Sequence, residues 1–173
     1  MGTTTLGDTS TRQRILAATA EVIGRNGKRK LSLSDVAVQA GVSRPTLYRW
    51  FPSKDELLLA FSRYERQTFD SGLAASTAGL HGVKKLDAAL RFIVSYRHSY
   101  TRMVDTEPEH VIAEFSRVMP LMRAGLERLM PGPGGAVRAA TAIRVAISHY
   151  MVPSDDADQF LRQLRHAVGI TAR

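Results

Sequence analysis

The sequence predicts an all-α protein. Apolar residues recur at spacings of three and four along most of its 173 positions, and cap residues and glycines punctuate it at helical intervals. Runs that alternate apolar and polar β-branched residues are missing.

The first helix is expected to start near Thr9 or Ser10 and to carry Ile15, Leu16, Ala18, Val22 and Ile23 on one stripe. Asn26-Gly27 suits its C-cap. After the basic loop "KRK", Ser32 with Asp35 resembles a capping box and opens a short helix from Leu33 to Ala40, ended by Gly41. Ser43 caps another short helix, with Pro45 in its first turn, where a missing N–H costs little. Pro52 ends that helix, and Ser53 with Glu56 caps a longer one through about Asp70. The stretch "SGLAASTAGLHG" reads as a frayed end and connector. Helices follow over Val83 to about Asp105, Glu107 to Met130, Ala136 to Met151 and Asp155 to Val168, with "PGPGG" as the sharpest break among them.

The chain is long enough to bury a core without staples. It has no cysteine, which excludes disulfides, thiolate chemistry and cysteine-based zinc sites. The opening "MGTTTLGDTSTRQR" lacks the apolar run of a signal peptide. No stretch approaches the roughly 20 apolar residues of a membrane span, so the cytoplasm is the expected compartment, with no membrane partner. The net charge of +8 is denser toward the start: nine basic residues face five acidic ones up to Ala60. Such a surplus suits a polyanionic partner.

The two short helices joined by "AGVS" have the form of a helix-turn-helix, in which the second helix enters the DNA major groove. Arg44 and Thr46 project from the first turn of that helix, and Tyr48 and Arg49 from the next. Leu47 and Phe51, four apart, can turn back into a small core. Lys54, with the exposed N–H groups that open the next helix, suits a phosphate.

The segment "LSLSDVAVQAGVSRPTLYRWFPSKDELL", preceded by "RILAATAEVIGRNG", closely resembles the DNA-binding region of the TetR family of bacterial transcriptional regulators. The resemblance spans residues 12 to about 60, and "LYRWF" followed by "SKDELL" is its most specific part. Trp50 departs from the tyrosine, phenylalanine or histidine more usual there. The resemblance implies an N-terminal three-helix DNA-binding domain, residues 1–53, and a C-terminal helical regulatory and dimerisation domain, residues 54–173. It further implies a homodimeric repressor on a palindromic operator of double-stranded DNA, released by a small-molecule effector. Carried onto this sequence, the DNA contacts are Ser43, Arg44, Thr46, Tyr48, Arg49 and Lys54.

The remaining two thirds are read from their own residues. Ala139, Ile143 and Ile147 on one helix and Phe160, Leu161 and Leu164 on the next could form an intersubunit four-helix bundle, against the alternative of packing within one subunit. A ligand pocket is placed among Arg97, Tyr100, Met103, Glu114, Phe115, Met119 and Met122, against the alternative of ordinary core packing. The domain is short for the family, so a regulator with no small ligand, controlled by a protein partner, is the runner-up. A helical enzyme that borrows a DNA-binding-like hairpin is a third reading. No enzyme is expected, and no cofactor or metal: the five histidines lack metal-ligand spacing, and neither a phosphate-binding glycine loop nor a nucleophile elbow occurs.

Overall fold

The computed structural model describes the backbone of residues 6–9 and, in full, residues 10–96, 104, 107–152 and 156–170. Among these lie eight helices and no strand: α1 (Leu6–Asn26), α2 (Leu33–Ala40), α3 (Arg44–Trp50), α4 (Lys54–Thr77), α5 (Gly82–Ser95), α6 (Pro108–Glu127), α7 (Gly135–Met151) and α8 (Ala157–Val168). No helix among the described residues is long and apolar enough to cross a membrane.

The helices divide into two compact units. The first holds α1, α2, α3 and α4 up to Thr68, together with Glu107 and Pro108. Its core is the stripe that periodicity marks on α1 (Ile15, Leu16, Val22, Ile23), joined by Val36, Leu47, Leu57 and Phe61, all without exposed surface. Thr19 is buried among them, and its hydroxyl donates to the Ile15 carbonyl at 2.8 Å, which meets its hydrogen-bonding need inside the helix. α4 begins at Lys54, and its Leu57 and Phe61 join the core of the first unit, which continues along this helix to Thr68.

The second unit holds α4 from Phe69, then α5, α6 from Glu109, α7 and α8. Small side chains on α7, Ala139, Ala142 and Ala146, let α8 approach closely, and Ile143, Phe160, Leu161, Leu164 and Val168 fill the seam. The Tyr150 hydroxyl donates to the Ile93 carbonyl at 2.9 Å, and its ring stacks on Phe115 with centroids 6.0 Å apart. Burial pushes this phenol well above the ordinary tyrosine value. Arg165 of α8 grips Asp87 of α5 with two hydrogen bonds, 2.6 and 3.0 Å, and holds that carboxyl below the usual carboxylate range.

Three elements differ from the sequence expectation. The segment expected to fray after Asp70 stays helical to Thr77. A Cβ at Gly72 would stand 2.7 Å from ring carbons of Phe92, so the glycine admits that ring onto the backbone of α4. The Phe92 ring in turn packs on Phe69 at 5.3 Å. Conversely, α5 stops at Ser95, where Tyr96 takes an extended backbone, ψ 121, with its ring edge-on to Phe69 at 5.0 Å; most of the expected continuation to Asp105 lies outside the described residues. In α6 the three-and-four spacing of Ile112, Phe115, Met119, Met122, Leu126 and Leu129 marks the expected stripe, yet Val111 is buried and Ile112 is 54% exposed.

Candidate nucleic-acid interface

The turn between α2 and α3 is built by local chemistry. Ser32 caps α2 by accepting the Ser34 N–H at 3.2 Å. At the other end Gly41 adopts φ 62. The Gly41 N–H bonds the Val38 carbonyl at 3.1 Å and the Val42 N–H bonds the Ala37 carbonyl at 3.0 Å, a paired closure that needs the left-handed backbone glycine adopts most readily. Two residues later Ser43 accepts the Thr46 N–H at 3.3 Å and shares a 2.8 Å hydroxyl contact with Thr46, and Pro45 occupies the first turn of α3.

That start sets the rotation of α3. Leu47 is fully buried and Phe51 is 3% exposed, so this side faces the core. At about 100° per residue, Arg44, Tyr48, Pro45 and Arg49 span an arc of about 140° of the helix circumference, from beside the core-facing side at Arg44 to nearly opposite Leu47 at Arg49, and all four are exposed. Thr46 and Trp50, both half-buried, lie between Arg49 and Leu47 on the remaining side. The arc offers two guanidinium groups and a phenol, donors suited to base edges and phosphates. Of the expected contact residues, Ser43, Arg44, Tyr48 and Arg49 are thus together on the surface. Thr46 is partly covered and engaged with Ser43.

Lys54 opens α4, and its ammonium donates to the Arg29 carbonyl at 2.8 Å. Two of its three donors remain available beyond that bond. Ser53 caps α4 by accepting the Glu56 N–H at 3.2 Å. The guanidinium of Arg12 sits 5.7 Å from the centre of the Phe51 ring, a cation–π contact at the end of α3. The indole N–H of Trp50 is buried with no acceptor among the described residues. Sequence reasoning does not find Glu107: its carboxylate accepts from the N–H groups of Lys28 and Arg29, 79 and 78 residues earlier, and no local pattern announces a contact of that separation.

In the second unit, Arg97, Tyr100 and Met103 of the expected pocket lie outside the described residues. Glu114 is paired with Arg117 on its own helix. Phe115 is buried against Tyr150, while Met119 and Met122 are half-buried. Of the expected interface set, Ala139, Ile143, Phe160, Leu161 and Leu164 are buried within the single chain, and Ile147 is half-buried. The outer side of α7 and α8 carries an open groove of about 780 Å³ that includes Thr141, Val145, His149, Gln163 and His166. There the His149 ring stacks on Phe160 at 3.7 Å, and burial pushes the imidazole below its ordinary value.

Residues 15–61, which contain the α2–turn–α3 unit, match the family described as bacterial regulatory proteins, tetR family. The chain is 39% identical over 71 residues to the HTH-type transcriptional repressor KstR of Mycobacterium tuberculosis, a match covering 38% of this chain and 32% of that protein. It thus spans about a third of that relative's length. Similarity to the HTH-type transcriptional repressor LfrR of Mycolicibacterium smegmatis is 30% over 151 residues, 79% of this chain and 76% of that protein. The fold also matches that of a candidate transcriptional regulator of Saccharomonospora viridis solved in complex with choline, with a TM-score of 0.70, 17% identity, and coverage of 93% of this chain and 96% of that one. With the capped α2–turn–α3 unit inside the matched residues, the chain belongs to the tetR family of bacterial regulatory proteins.

Proposed function

We propose that the protein is a homodimeric repressor that reads a palindromic operator with α3 and leaves it when a small ligand enters the second unit. One observation supports the DNA reading: Arg44, Tyr48 and Arg49 share an exposed arc of about 140° on a helix that Leu47, with Phe51 at its end, locks into the core. An operator with two-fold symmetry calls for two copies of that helix. Since the apolar seam of α7 and α8 is used up within one chain, a second copy would dock on their outer side, where Val137 and Val152 are 70% and 77% exposed. Ala139, Ile143, Ile147, Phe160, Leu161 and Leu164 then serve the dimer from beneath, by holding the two helices in register. Support for a small effector comes from the choline bound by the Saccharomonospora protein. The half-buried Met119 and Met122 offer adaptable walls for one.

Control by a partner protein is a second reading. It is favoured by the engagement of two expected pocket residues, Glu114 with Arg117 and Phe115 with Tyr150.

The deciding experiment is selection of bound duplexes from random sequence, with the mass of the complex measured at moderate salt. An enriched inverted repeat bound by an even number of subunits is expected. Arg44→Ala should then weaken binding by about 1–3 kcal/mol and relax the preference at one position of each half-site. Salt-sensitive binding with no enriched sequence would overturn the proposal.

A further inference from the structure

The loop after α1 holds an anion site made of backbone, and the protein fills it with its own carboxylate. Gly27 takes φ 78, which turns the next two peptide N–H groups to one side. Glu107 meets both: Oε2 accepts from Lys28 at 3.1 Å and Oε1 from Arg29 at 2.7 Å. Successive N–H groups aimed at one carboxylate form a nest, and the acceptor's charge strengthens each bond. The fit leaves no room for a larger residue, since a Cβ at position 27 would stand 2.6 Å from Oε1 and 2.9 Å from Cδ of Glu107. On its other side, Arg29 presents its carbonyl to the ammonium of Lys54 at 2.8 Å. A continuous chain of hydrogen bonds therefore runs from Glu107 through the backbone of Arg29 to the lysine that opens α4.

We propose that Glu107 is a positioning residue of the DNA-binding unit. Its carboxylate orders the basic loop Lys28-Arg29-Lys30 and, through Arg29, fixes where Lys54 stands. With the carboxylate in place, the loop enters DNA binding already ordered. Without it, the ordering entropy is charged to the complex. Glu107 directly precedes Pro108, the first residue of α6, so the geometry of the basic loop depends on a residue at the mouth of a helix that otherwise belongs to the second unit.

The sign of the effect separates positioning from simple electrostatics. Removing a negative charge beside a basic loop would by itself tighten binding to a polyanion. Loss of positioning weakens it. The inference rests on the DNA-binding reading, so one of its two readouts is taken without DNA. In the full-length protein, Glu107→Ala should speed amide hydrogen exchange at Lys28 and Arg29 at least tenfold while the amides of α1 exchange as before. On the best duplex recovered by selection, Glu107→Ala should bind about five- to tenfold more weakly at fixed salt. Glu107→Gln changes the charge equally but keeps one acceptor oxygen, so it should recover part of that loss. Gly27→Ala should lower the melting temperature less in a Glu107→Ala background than in the parent, because only the backbone strain remains. Unchanged exchange at both amides would overturn the proposal whatever the DNA result, and so would variants that bind the duplex as tightly as the parent or more tightly. Failure to recover any duplex, with exchange still accelerated, would count against the DNA reading and leave the carboxylate's grip on the loop established.

Discussion

Leu47 is the only buried residue within α3, and replacing it with alanine tests how that helix is held. A seven-residue helix has almost no stability of its own in water, so its order derives from tertiary anchors. The leucine has no exposed surface, and truncation to alanine removes three carbon groups from a filled site. At about 0.8 kcal/mol per buried methylene the transfer loss is about 2.4 kcal/mol. The cavity left behind should raise the total to about 3–5 kcal/mol. With a urea dependence of about 1–3 kcal/mol per molar, the unfolding midpoint of the N-terminal unit should fall by more than about 1 M. The chain's single tryptophan, Trp50, ends α3, so its fluorescence reports this transition directly. Far-UV circular dichroism should show the helices of the second unit melting as before. A midpoint shift below about 0.3 M would refute the anchoring role and would mean that the caps and Phe51 hold α3 without it.

Trp50→Phe removes a buried N–H that lacks an acceptor among the described residues, a group whose burial costs about 1–3 kcal/mol, and leaves a small void that offsets the gain. The melting temperature followed by circular dichroism should therefore change little, and a fall of more than about 5 °C would show that the packing of the indole outweighs the relief of its unpaired N–H. Asp87→Asn should cost the second unit about 1–2 kcal/mol, reduced from the value for a fully buried charged bond because both partners keep about a quarter of their side-chain surface. Acid titration should distinguish two groups whose folded values are depressed. The contribution of neutral His149 is complete above its ordinary value of 6.5 and is lost as pH falls below that toward the lower folded value. That of Asp87, held down chiefly by Arg165, is complete above 3.8 and is lost at lower pH. His149→Phe should remove the first loss and Asp87→Asn the second, both read from melting temperature against pH.

The first 60 residues are legible because their structure is written in local chemistry. Ser32, Gly41, Ser43 and Ser53 act on N–H and carbonyl groups within a few positions of themselves, and the spacing of Leu47 and Phe51 sets which side of α3 turns inward. Legibility falls where a helix end depends on a partner far away in sequence. The end of α4 reads as frayed from its glycine and alanines, yet Gly72 is the position where the Phe92 ring rests. The early stop of α5 goes with Tyr96 turning its ring onto Phe69, and in α6 a shift of one residue moves Val111 inside and Ile112 out.

Sequence by itself determined the all-α class, the order of the helices, the capped turn and the arc of side chains that α3 presents, since caps and periodicity are properties of neighbouring residues. Tertiary structure decided what those elements are tied to. The apolar seam of α7 and α8 is consumed within one chain, Asp87 is joined to Arg165, Lys54 rests on the Arg29 carbonyl, and Glu107 fills the nest beside Gly27. Each of these joins groups from 25 to 79 residues apart or settles which neighbour a face meets. Folding chooses such pairs by complementary shape and charge in three dimensions, which no single stretch of the chain contains.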